Sequence, residues 1–258
     1  GNVDVTITQS LAITDPGEQD REKQSFVDRI VVQISNVVAW IFPLLILAIC
    51  TQVIIRKAGF NQAWLDDAQW WLYGFAMTVG FAYAITTQSH VRVDILHQNF
   101  SPSKKAWIEL FGLGWLLLPF LILMTDVLFH YALASVIAGE GSDSPNGLHR
   151  LYLLKMSLPV IFLLAICGTT SMFIRHLSTV RPIYLWTVLI GMFPAAWFLF
   201  ERAIFYCLWW IVRLSNPELN PRRVIREPIM DFTILYGLAA LIVVIGVSYF
   251  LTRRKSGA

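Results

Sequence analysis

The chain has 258 residues, of which 56% are hydrophobic and only 14% are charged, and its mean hydropathy is +0.60. Most of its length is therefore expected to lie in a lipid bilayer, and no stretch is long enough for a separate soluble domain. The net charge of +3 does not indicate nucleic-acid binding, because the lysines and arginines stand at the ends of apolar stretches, where they orient membrane helices.

A polar segment precedes the first apolar stretch. Residues 1–25 are polar and include Pro16 and Gly17, so we expect a mobile N-terminal leader. The segment has no short apolar region followed by a small-residue cleavage site, which argues against a signal peptide.

Six apolar stretches of about 18 or more residues follow the leader, against the ~20 residues that a membrane-spanning helix needs at ~1.5 Å rise per residue. A helix satisfies its own backbone hydrogen bonds in lipid. We therefore predict an all-α fold, a polytopic membrane helical bundle of about six transmembrane helices. The predicted spans are 31–55, 70–87, 110–137, 156–174, 183–200 and 232–251.

The distribution of lysine and arginine predicts the orientation of the bundle. When the loops are assigned to alternate sides, the side that holds both termini carries more of these residues, which places both termini in the cytoplasm. Much of the positive charge on the opposite, periplasmic side comes from one basic loop between Arg213 and Arg226.

The fifth stretch has two interpretations, because Glu201 and Arg202 separate it from a second apolar run, 203–214. In one, a single tilted helix continues to Val212 with its charges against other helices. In the other, the span ends near Glu201 and the aromatic residues of 203–214 lie along the membrane interface. We favour the interfacial interpretation.

Few ionisable side chains lie within the stretches. Asp126 and His130 are four residues apart and share a helical face, and Glu201 and Arg202 lie at the edge of the fifth span. An ionisable group that faces lipid is costly, so we predict that these four residues make polar contacts within the bundle or with a neighbouring subunit.

The sequence indicates no catalytic or cofactor site. Haem held between helices needs paired axial ligands, and His130 is the single histidine inside a predicted span. No phosphate-binding glycine loop, metal-binding His-Glu helix motif or serine nucleophile elbow occurs. We therefore predict no catalytic residue, no cofactor and no metal ligand in this chain.

Polar residues flank the second predicted span. Trp64, Asp66 and Asp67 precede it, where an indole can sit at the headgroup level and carboxylates complement a helix dipole. His90, Arg92 and Asp94 follow it, and Arg92 can pair with Asp94 or with a partner protein.

These motifs, in this order, resemble the small membrane subunit of tripartite ATP-independent periplasmic (TRAP) transporters, the DctQ-like proteins. The resemblance covers about residues 26–178. The motifs that carry it are Trp64-Leu65-Asp66-Asp67, His90-Val91-Arg92-Val93-Asp94, Ser101-Pro102, Gly139-Glu140-Gly141-Ser142 with Gly147, and Tyr152-Leu153-Leu154-Lys155 before Pro159.

The resemblance implies a four-helix core, residues 26–180, that holds a large multi-span permease subunit and helps to dock a periplasmic solute-binding protein. Such systems import organic acids, among them C4-dicarboxylates and sialic acids, and their sodium and substrate sites belong to the large subunit. Residues 181–258 would add two membrane helices and the basic periplasmic loop. Contact or positioning roles are implied for Trp64, Asp66, Asp67, His90, Arg92, Asp94, Glu140 and Lys155.

The implied location is the bacterial cytoplasmic (inner) membrane, with phospholipids around the helices. Two other functions are open on the residues alone. A membrane anchor of a respiratory or redox complex would show a haem absorption band. A stand-alone small transporter would need Asp126, His130, Glu201 and Arg202 to line one path.

Overall fold

The computed structural model describes residues 22, 24–88, 95–141 and 147–257. Most of the predicted leader, 1–25, therefore lies outside the described residues, as do His90, Arg92 and Asp94. The described part of the chain is built from helices and contains no strand, which confirms the all-α prediction.

Nine α-helices carry the fold within the described ranges. They are α1 (Phe26–Ala39), α2 (Ile41–Lys57), α3 (Ala63–Thr87), α4 (Pro102–Phe111), α5 (Leu118–Ala138), α6 (Leu151–Ser178), α7 (Leu185–Gly191), α8 (Phe193–Ser215) and α9 (Thr233–Ser256). A π-helical segment, Gly112–Leu117, joins α4 to α5. Short 3₁₀ turns occur at His97–Asn99, Pro221–Arg226 and Pro228–Met230.

Five described segments are long and apolar enough to cross a membrane: Phe26–Lys57, Pro102–Ala138, Leu151–Ser178, Phe193–Ser215 and Thr233–Ser256. Helix α3, at 25 residues, contains the second predicted span, 70–87, but is not among these five. Its tryptophans, tyrosines and two aspartates make it less apolar than the others. The polytopic bundle is confirmed, with five strongly apolar segments rather than six.

Contacts divide the described residues into two compact units. Unit 1 contains those of Gly1–Arg92 and Val127–Ser171, and unit 2 contains those of Val93–Asp126 and Met172–Ala258. The predicted division into a core, 26–180, and an extension, 181–258, was based on the family resemblance. The two compact units do not test it, so it stays a prediction.

In unit 1, helices α1 and α2 pack along α3. Ser25 caps α1, since its hydroxyl accepts from the Asp28 N–H at 3.2 Å and the Asp28 carboxylate accepts from the Ser25 N–H at 3.1 Å. The α-helical pattern is interrupted at Trp40, between α1 and α2. Pro43 explains the interruption, because proline has no N–H to donate to the carbonyl of Ala39.

In unit 2, helix α9 packs against α8 and α7. The backbones of α9 and α8 lie so close together that a Cβ on Gly237 would be 2.8 Å from the Cα of Glu201. The Trp197 indole also donates to the carbonyl of Ile234 at 2.9 Å. The π-helical segment lies directly before Pro119, which cannot donate to the carbonyl of Trp115.

The predicted fifth span, 183–200, is wrong in its bounds, and so is the favoured interfacial interpretation. The chain forms the short helix α7, breaks at Met192, and then forms α8 without interruption from Phe193 to Ser215. Pro194 explains the start, because proline is accommodated in the first helical turn. Glu201 and Arg202 do not end the helix, because their charges are paired with each other.

Candidate functional site

Asp66, at the start of α3, is the centre of a polar network in unit 1. Its carboxylate accepts a hydrogen bond from the Gln52 amide and lies 3.6 Å from the Arg56 guanidinium. Gln69 donates to the side chain of Gln52 and to the carbonyl of Ala48, the latter at 3.4 Å. These contacts tie the end of α2 to the beginning of α3. Sequence reasoning identified Asp66 but missed both glutamines, which stand within or beside apolar runs.

The neighbouring polar residues of α3 have different roles. The Asp67 carboxylate accepts from the backbone N–H of Leu148 at 3.1 Å, and so holds the chain just before α6. The Trp64 side chain is exposed, and its indole donates to Gln62 at 3.0 Å. Asp67 therefore positions a loop, whereas Trp64 presents an amphipathic ring at the start of the helix.

Glu140 and Lys155 form the second network of unit 1. The Lys155 ammonium lies 2.5 Å from the Glu140 carboxylate, which also accepts from the Ser135 hydroxyl at 2.7 Å. The same ammonium lies 4.5 Å from the centre of the Tyr131 ring. The pair therefore ties the chain just after α5 to the second turn of α6.

Two glycines explain the local shape of the Gly139-Glu140-Gly141 motif. Gly139 has a φ of +62°, a value that favours glycine and allows the chain to reverse after α5. A Cβ on Gly141 would lie 2.9 Å from the carbonyl oxygen of His149. The glycines thus place Glu140 beside Lys155 and let the two ends of the loop approach each other.

The Glu140 pair predicts a pH-dependent contribution to stability. Hydrogen bonds from Lys155 and then Ser135 hold the pKa of Glu140 below its usual value of 4.5. A carboxyl whose pKa is lower in the folded state stabilises the fold above its unfolded pKa, and loses that contribution as pH falls through the folded pKa. We expect Glu140→Gln to lower the melting temperature near neutral pH, and this difference to shrink below about pH 4.5.

The control for this titration is Glu218→Gln, which removes an exposed carboxylate from another loop. Because this side chain is exposed, the variant should melt close to the wild type over the same pH range. A Glu140→Gln difference that also stays constant would contradict the assignment of the pair.

A third network, in unit 2, is built on Arg202. Its guanidinium donates twice to the Glu201 carboxylate, at 2.6 and 2.8 Å, and lies 3.7 Å from the carboxylate of Asp126. Tyr206 donates to Asp126, and the Thr233 hydroxyl donates to Glu201 at 3.0 Å. The network therefore joins α5, α8 and α9 within unit 2.

In this network Asp126, Glu201 and Arg202, which the sequence singled out, lie together with Tyr206 and Thr233. Tyr206 and Thr233 were missed, although Tyr206 stands four residues after Arg202 and so shares its face of a helix. His130 is exposed, with its ring edge-on to Phe129.

Two sequence predictions remain. One concerns residues outside the described part of the chain, and the other concerns metal sites. His90, Arg92 and Asp94 lie in the segment that the structure does not describe, so their roles stay predictions. Over the ranges that are described, no three or more histidine, cysteine, aspartate or glutamate side chains are grouped as metal ligands.

The family comparison decides the class of this membrane protein. The family described as "Tripartite ATP-independent periplasmic transporters, DctQ component" matches residues 45–181, which is more than half of the chain. The chain belongs to the DctQ family. The resemblance found in the sequence is thereby confirmed. No curated protein and no solved structure matches the chain.

Membership settles the broad function. A DctQ component is a non-catalytic part of a tripartite transporter, so the chain is not an enzyme and works in the inner membrane together with other components. The match includes Asp66, Glu140 and Lys155, and it ends at residue 181, before α7 begins. The Arg202 network thus connects Asp126 of the DctQ region to the two long helices that follow that region.

Proposed function

We propose that this DctQ component is the fixed small subunit that braces a large, mobile permease subunit and helps to dock a periplasmic solute-binding protein. The observation that carries the proposal is the DctQ match over residues 45–181. The transport reaction would be sodium-coupled import of an organic acid, with the sodium and substrate sites on the large subunit.

The contacts that the ionisable groups make between helices support a bracing role. Asp66, Glu140 and Arg202 each make contacts that join one helix to another. Groups committed to such contacts stabilise a fixed arrangement of helices, because removing either partner leaves a charge without compensation. A rigid support for a moving partner requires this property.

The apolar surface of α1 and α2 supports contact with a large membrane partner. Most of the apolar side chains of α2 are exposed within this chain, including Leu44, Leu47 and Ile54. In a membrane, such a surface is covered by lipid or by the helices of another subunit, and close van der Waals packing then holds the helices together.

The docking role is supported by the loop between α5 and α6, which lies on the predicted periplasmic side. Glu140 fixes the beginning of this loop to Lys155, and Asp67 fixes its end through Leu148. Trp64 is exposed at the start of α3. Fixed ends of this kind reduce the conformational entropy that the loop loses when a partner binds.

Affinity purification of the tagged full chain from native membranes tests the proposal. A larger multi-span membrane protein should co-purify in a constant ratio, and the pair should bind a periplasmic protein reversibly. A tagged inner-membrane protein of another class serves as the control. Purification of the chain with a haem-containing complex, or as a single component that transports solute, would contradict the proposal.

A further inference from the structure

The loop between α8 and α9 has a defined shape. Two 3₁₀ turns, Pro221–Arg226 and Pro228–Met230, fold it back onto α8. Val224 and Met230 are buried beneath the turns. Arg213, in the last turn of α8, donates to the carbonyls of Pro217 and Leu219 at 2.7 and 3.2 Å. The groups on the outside of this loop are therefore held in place.

Three arginines, Arg222, Arg223 and Arg226, project from these turns and are exposed. The loop also contains acidic residues, yet none of the three guanidiniums forms an ion pair with any residue that the structure describes. The acidic residues are Glu218, Glu227 and Asp231. The cationic groups are thus available to an external anion.

Exposed apolar side chains stand among the arginines. Ile225 is 57% exposed and Ile229 is 45% exposed, although both belong to the ordered 3₁₀ turns. The loop connects a helix of 23 residues to one of 24 residues, both long enough to span the bilayer. Its length of 17 residues, from Asn216 to Phe232, keeps it close to the membrane surface.

We propose that the three exposed arginines of this loop, residues 216–232, form a binding site for anionic phospholipid headgroups. Guanidiniums bind phosphate through paired N–H donors, and the neighbouring isoleucines can enter the acyl-chain boundary, as apolar side chains of interfacial segments do. An arginine-rich loop on the predicted periplasmic side runs against the usual charge bias of membrane proteins. Binding to lipid phosphates would explain why these arginines stand on the side of the membrane where arginine is less common.

Hydrogen exchange of the full chain in nanodiscs tests the lipid site locally. The probes are discs of phosphatidylcholine and discs in which phosphatidylglycerol replaces a rising fraction of it. Peptides from residues 216–232 should exchange more slowly as phosphatidylglycerol increases. Each arginine should contribute about fivefold to the apparent affinity for the anionic surface, so Arg222→Gln/Arg223→Gln/Arg226→Gln should abolish the protection.

A charge-preserving variant controls for damage to the loop. Arg222→Lys/Arg223→Lys/Arg226→Lys should keep most of the protection, and both triple variants should melt like the wild type in phosphatidylcholine. Equal exchange of the wild-type loop in both lipids would overturn the proposal. So would protection that persists in the glutamine variant, or that develops only when a purified solute-binding protein is added.

Discussion

Replacing Arg202 with glutamine should destabilise the full chain by about 3 kcal/mol, because it leaves a buried carboxylate without its cation. The Glu201 side chain is only 8% exposed and the Arg202 side chain 27% exposed. Arg202 also faces Asp126, so its removal leaves two carboxylates in a region of low dielectric constant. The measurement is the melting temperature of the purified chain in detergent.

Two further variants identify the cause of this loss. Arg254→Gln removes an exposed arginine from the last turn of α9 and should change stability little. Adding Glu201→Gln to Arg202→Gln should recover part of the lost stability, because a neutral amide replaces the unpaired carboxylate. If Arg202→Gln and Arg254→Gln have the same melting temperature, the network does not join these helices as described.

Gly237→Ala should destabilise the packing of α9 on α8 by about 1–3 kcal/mol. The new Cβ would lie 2.8 Å from the Cα and 2.9 Å from the backbone nitrogen of Glu201. Backbone atoms of a helix cannot move aside as a flexible side chain can, so the two helices must separate. The separation would also disturb the hydrogen bond between Thr233 and Glu201.

Gly246→Ala is the matched control, because Gly246 lies on the same helix and a Cβ there would meet nothing within 4 Å. This variant should be neutral or slightly stabilising, since alanine favours helix more than glycine does. Equal melting temperatures for the Gly237 and Gly246 variants would contradict the close packing of α8 and α9.

Long apolar runs made most of the fold predictable. The spans 31–55, 110–137, 156–174 and 232–251 each correspond to a helix or helical segment of the structure, because a long apolar run is the main requirement for a segment to cross a bilayer. The fifth span could not be placed in this way. The helix starts where it does because of Pro194, and it continues because Glu201 pairs with Arg202. A hydropathy profile shows neither effect.

The polar networks were predictable only in part. Asp66, Glu140 and Lys155 were identified because they stand in the motifs that resemble the DctQ family. Gln52, Tyr206 and Thr233 were missed, because a neutral polar residue in an apolar helix has no distinctive pattern. Their roles depend on which side chain faces them across the packed helices, and the order of residues along the chain does not encode this directly.

The pairing of charged groups separates a bracing subunit from a stand-alone transporter. Ionisable groups that line a transport path must be able to exchange their partners for solute or ions. Arg202 instead contacts Glu201 and Asp126 at once, and Lys155 contacts Glu140. These charges hold helices together, which agrees with the proposed bracing role.

Solute uptake into proteoliposomes tests the central claim most directly. The liposomes contain this chain alone, or this chain with the co-purified large subunit and its solute-binding protein, under an inward sodium gradient. We predict uptake of an organic acid by the complete assembly and none by the chain alone. Sodium-driven uptake by liposomes that contain only this chain would contradict the account.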